Sequence, residues 1–121
     1  AEEAVSAFWH WGGSFGRDTT KTDRYKGRPL DGIWATAPYL HNGSVPNLYQ
    51  LLVPAERTPV YVGSRRFDKE HVGFATDDKS GTLLNTSISG NLNIGHDDTT
   101  YGGSLDMEKE VWPLIEYMKT L

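Results

Sequence analysis

Apolar positions fall into three helix-like patches along the 121 residues, separated by long polar stretches. Residues 1–9, AEEAVSAFW, set Glu2 and Glu3 near a positive helix N-terminus and Val5, Phe8 and Trp9 on one face, until Gly12 and Gly13 end the pattern. Ser44 is the predicted cap of a second, short helix. Pro46 suits its first turn, Leu48, Tyr49, Leu51 and Leu52 supply an apolar face, and Pro54 stops it. The clearest helix is LDMEKEVWPLIEYMKTL, residues 105–121. There Met107, Val111, Leu114, Ile115, Met118 and Leu121 recur at spacings of three and four, Asp106 is the predicted N-cap, and Pro113 kinks the helix or restarts it at a first-turn position. A helix this short does not stand alone in water and must dock on a core.

Between these patches, PVYVG at 59–63 and HVGFAT at 71–76 read as short strands, with Gly63 and Gly73 limiting their length. Residues 14–32 read as surface loop and 77–104 are nearly all turn formers. There is no internal repeat and no domain boundary. The predicted fold is mainly α, with extensive irregular loops and a few short strands, in a single domain or partial domain.

Composition narrows the class. A chain of this length buries roughly two-thirds of its unfolded surface on folding, so a true core is expected. Thirteen Gly and six Pro fit a loop-rich chain, whereas four Trp, six Tyr and four Phe set it apart from a disordered one. A net charge of −4 with scattered basic residues leaves no footprint for nucleic acid or an anionic membrane. No run approaches the roughly 18 apolar residues of a membrane span, and with no signal-peptide pattern visible any export signal is expected to have been removed. There is no Cys, hence no disulfide, no thiolate metal site and no C-x-x-C-H for covalent haem attachment.

The candidate chemistry centres on histidine. His10, His41, His71 and His96 lack helix-face ligand spacing such as H-E-x-x-H, and there is no G-x-S-x-G, Walker loop or G-x-G-x-x-G. GRDTTKTD is too common a composition to mark a phosphate or glycan site. His41 differs in its neighbours. Pro38 biases Ala37 toward extended geometry, Asn42-Gly43 reverses the chain directly after the imidazole, and Tyr39 and Leu40 flank it. Two readings stay open: a neutral nitrogen ligand facing an apolar slot, or a ring that only hydrogen-bonds a turn carbonyl.

The stretches YKGRPLDGIWATAPYLHNGSVPNLYQLL, PVYVGSRRFDKEHVGF, NTSISGNLNIGHDD and WPLIEYMKTL, in this order, resemble the C-terminal part of di-haem c-type cytochromes related to rubber oxygenase and, more distantly, bacterial cytochrome c peroxidase. The resemblance runs from about Tyr25 to Leu121, leaving 1–24 as an N-terminal helix and loop and 25–121 as a cytochrome c-like C-terminal segment. It implies that this segment covers the distal side of a haem, with His41 as the second axial ligand. It also places Tyr39 and Leu40 beside the cofactor, Arg28 near the propionates and Trp34 against the macrocycle edge. His96, with Asp97 and Asp98, lies in another matching stretch and either orients a turn or helps hold a cation; His10 and His71 read as structural.

The C-x-x-C-H of haem c is absent from this chain. The resemblance therefore implies a haem-bearing upstream segment or a separate chain as partner, a redox partner beyond it, and a periplasmic or extracellular location. The implied function is electron transfer or peroxidase- or oxygenase-type chemistry, without an assigned catalytic residue. The alternative is a haem-free binding or interaction module that kept the fold.

Overall fold

The computed structural model describes residues 27–98 and 105–121; the predicted helix at 1–9, His10 and most of the 14–32 loop lie outside them. The expectation of a mainly α chain is overturned. About 26% of the described residues are helical, only one helix reaches seven residues, and two small antiparallel sheets are present. The physical reason lies in the turn formers. Side chains of Asn42, Asp68, Asp78 and Asn85 accept backbone N–H groups two residues ahead, offering the chain an alternative to helical hydrogen bonds.

Helix α1 is Leu48–Leu52, and its cap is Asn47 rather than the predicted Ser44: Asn47 Oδ1 accepts from Gln50 N. The amides of Leu48 and Tyr49 donate instead to the carbonyls of Val72 and His71, at 3.0 and 3.2 Å. Three amides at the helix start are thus satisfied by a cap and by a distant segment. Pro46 stays outside the helix, and its carbonyl accepts from Phe74 N. Gly73 makes this close approach possible. It sits at φ +154°, and a Cβ there would fall on the Pro46 carbonyl and the Asn47 backbone.

Strand β1, Val60–Val62, pairs antiparallel with β4, Thr82–Leu84, in the register Val60 opposite Leu84. Strand β2, Phe67–Asp68, pairs with β3, Gly73–Phe74. The two predicted strands are present in shortened form; their partners, β2 and β4, were not predicted.

The C-terminal helix follows its predicted register. Asp106 Oδ1 accepts from Glu108 N and Lys109 N, and Glu110 Oε2 accepts from Asp106 N, a reciprocal cap. Residues Met107–Val111 form a wide π turn, after which α2, Trp112–Met118, carries Pro113 within its first turn. Proline has no N–H to give and its ring collides with the preceding turn, so the helix restarts there. Val111, Ile115 and Met118 pack with Tyr39, Val45, Leu48 and Val72 to form the core. The carbonyl of Leu121 accepts from Gly32 N at 3.2 Å, tying the chain end to the segment that leads into the His41 region.

Candidate functional site: the His41 hairpin and its latches

Tyr39 and Val45 exchange two backbone hydrogen bonds, at 2.7 and 3.3 Å, and close a hairpin whose loop is 40–44. Tyr39 anchors its base. The ring is 6% exposed, its hydroxyl donates to the Ile33 carbonyl at 2.7 Å, and burial pushes the phenol up to about 12. Ala37–Pro38 is cis at the entry to the hairpin. Leu40 holds φ +63°, left-handed backbone that a leucine adopts only when its surroundings impose it, and Gly43 closes the turn at φ +68°. His41 stands at the tip. Its side chain is exposed and makes no hydrogen bond with any described residue.

The loop is fixed from the side. Asn42 Nδ2 donates to the carbonyls of Gly90 and Leu92, at 3.1 and 2.8 Å, and its Oδ1 accepts from Ser44 N. Ser44, fully buried, donates from Oγ to the same Leu92 carbonyl at 3.1 Å. Further along, Arg57 gathers one stretch of chain against the end of α1. Nε donates to Gln50 O, one terminal nitrogen to Asn93 O and Gly95 O at 2.7 and 2.9 Å, and the other to Leu51 O and, at 3.5 Å, His96 O. Burial lowers the Arg57 pKa, and the nearby Asp97 carboxylate opposes that shift. Residues 90–96 are therefore a belt held by side-chain donors on its carbonyls.

Of the other predicted site residues, Arg28 is exposed and Leu40 is half-buried at the hairpin. Trp34, 44% exposed, lines a separate apolar groove that does not include His41, Tyr39 or Leu40. His96 lies at φ +50° in the belt. Among the described residues no group of three His, Cys, Asp or Glu is placed to hold a metal ion.

Like the Arg57 clamp, the pairing of His71 with Asp68 was not foreseen from the sequence. His71 Nδ1 lies 2.7 Å from Asp68 Oδ2, while Asp68 Oδ1 accepts from the amides of Glu70 and His71. Burial raises the Asp68 pKa, but the hydrogen bonds from His71 and Glu70 outweigh it and the net shift is downward. The His71 ring meets Tyr49 edge-on at 4.9 Å and Trp112 at 5.7 Å, and Tyr49 stacks on Trp112 at 5.2 Å. Asp68, His71 and Tyr49 line a polar cleft of about 420 Å³. The only sequence signal was the D-x-x-H spacing of DKEH.

Residues 24–62, which contain the hairpin, α1 and β1, match the family described as RoxA-like, cytochrome c-like. Over these residues the chain is similar to a cytochrome c-like domain. Two proteins of Sinorhizobium fredii (strain NBRC 101917 / NGR234) are similar over most of the chain. Uncharacterized protein y4iJ is 45% identical over 106 residues, covering 80% of this chain and 18% of its own length. Uncharacterized protein y4iM is 37% identical over 124 residues, covering 86% of this chain and 29% of its own length. The chain spans less than a third of either relative.

The residues present fit haem in one respect and not in another. Thioether attachment needs thiols, and the sequence has none. Axial ligation needs an accessible imidazole on a fixed backbone, and His41 on its latched hairpin answers that description.

Proposed function

We propose that this chain is the distal lobe of a c-type cytochrome, presenting His41 as an axial ligand to a haem attached to an upstream segment or a separate chain. The reading rests on one observation: within the cytochrome c-like match, an exposed imidazole with no intramolecular partner among the described residues tops a hairpin anchored at its base and side. Haem, when bound, supplies the electron-transfer, peroxide or oxygen chemistry.

The work of this chain is positional. Leu40 and the Asn42-Gly43 turn set the direction of the imidazole, while Tyr39 fixes the loop from the core. A ligating nitrogen must carry its lone pair, so His41 serves in its neutral form. Arg28, exposed on the approach to the hairpin, is available to a propionate. Export to the periplasm or beyond, and a redox partner, belong to the same proposal.

The test joins this chain to its haem-bearing partner and records the Soret and visible bands of wild type and His41→Ala. A six-coordinate low-spin spectrum in wild type, lost in the variant, supports the reading; a spectrum unmoved by the substitution sinks it. Stability separates the two effects, because truncating an exposed, unpaired side chain changes folding free energy by no more than about 0.5 kcal/mol.

A further inference from the structure

Away from His41, the surface carries a groove of about 610 Å³ lined by Trp34, Ala35, Phe67 and Val72 together with Lys69 and Lys119. Its size falls in the range of small-molecule sites, which are mostly apolar with a few polar groups that orient the ligand. Trp34 and Phe67 are each 44% exposed, two large rings left partly in water on one face. Val72, 2% exposed, belongs to the core cluster, so one wall of the groove is the core itself. Val72 also holds φ +57°, a conformation that costs a β-branched residue free energy and marks a place where the fold imposes its geometry.

The groove's two charged lining residues are both lysines, in a chain whose net charge is −4. Lys119 is paired with the exposed Glu116 carboxylate. Lys69 has no hydrogen bond or ion pair with any described residue, which leaves one compact, unpaired cation beside an apolar trough.

We propose that this groove binds an aliphatic carboxylate, with its hydrocarbon chain along Trp34, Phe67 and Val72 and its carboxylate on Lys69. One uncommitted point charge suits a monoanion, and the volume suits a chain of medium to long length. The site needs neither His41 nor a haem, so it stands or falls apart from the axial-ligand reading.

The experiment titrates the full chain with sodium dodecanoate below its micelle concentration, by calorimetry, with 1-dodecanol as the uncharged counterpart. Saturable binding at one site is expected, weakened about tenfold by Lys69→Glu and by a similar factor for the alcohol, as for loss of one partly desolvated charge pair. Trp34→Ala or Phe67→Ala weakens it for both ligands. Lys69 and Phe67 are exposed, so these variants fold, and a thermal melt checks them. Dodecanol binding as tightly as dodecanoate, or affinity unmoved by Lys69→Glu, overturns the carboxylate assignment. Absence of saturable binding, or preference for an acidic apolar peptide, overturns the proposal as a small-molecule site.

Discussion

Asn42 donates from Nδ2 to the carbonyl oxygen of Leu92 over 2.8 Å, across fifty residues of sequence. With the Ser44 hydroxyl on the same acceptor, this contact decides whether the His41 hairpin is a fixed or a swinging element. Asn42→Ala takes the side-chain donor from the Gly90 carbonyl and one of two from Leu92, and is expected to destabilise the protein by about 1–3 kcal/mol in urea unfolding. Asn42→Asp does no better, since a carboxylate has no N–H to offer. A loss below about 0.5 kcal/mol would show that the latch is ornamental to stability.

Arg57 reaches carbonyls on two segments with one planar fork, a geometry that lysine lacks. Arg57→Lys is expected to cost about 2 kcal/mol. Amide exchange should quicken in residues 90–96, whose carbonyls are held by Asn42, Ser44 and Arg57. Equal protection there in both proteins would contradict the belt's dependence on this residue.

Tyr39 gives the alkaline limit a specific cause. Its phenol, raised from 10.0 to about 12 by burial, stays neutral in the fold at pH values where the unfolded chain ionises. Its contribution is complete below pH 10 and is lost as pH rises from 10 toward 12. Tyr39→Phe gives up the bond to Ile33, about 1 kcal/mol at neutral pH. Its stability should then fall less steeply over that alkaline range, which chemical denaturation at stepped pH will reveal.

Asp78 does the reverse in acid. Hydrogen bonds from the Ser64 hydroxyl and from Ser80 hold its carboxyl down at about 2. A depressed folded pKa stabilises above the unfolded value of 3.8, and the benefit disappears as pH drops toward 2. Ser64→Ala removes a principal donor, so the acid limb of the stability curve should flatten between pH 4 and 2 relative to wild type.

The features legible in the sequence were those written in local terms. The three- and four-residue spacing from Met107 to Met118, the cap at Asp106 and the turn at Asn42-Gly43 are dictated within a few residues, and each is present. The cap of α1 fell on Asn47 rather than Ser44 because Ser44 is drawn to a carbonyl 48 residues away. Strand β4 was invisible for a similar reason. Thr82 and Leu83 are exposed, and only pairing with β1 makes them a strand. The helical content was overestimated because Asn and Asp side chains serve backbone amides between the patches, a local competition that apolar periodicity does not register. Arg57 and the Asp68–His71 pair escaped notice because backbone acceptors leave no mark in a sequence, and because a D-x-x-H spacing gains meaning only when a turn brings the carboxylate to the imidazole.

The clamp on Asn42 also governs how the protein ages. Asn-Gly is the dipeptide most prone to spontaneous succinimide formation, because the following amide attacks the carboxamide with little steric resistance. Here both ends of that carboxamide are engaged, by Gly90 and Leu92 on the nitrogen and by Ser44 on the oxygen. The folded state therefore shelters the bond, and damage enters through transient opening. Once formed, an aspartate at this position faces two carbonyl oxygens with no proton between them, so the first lesion favours the opened form.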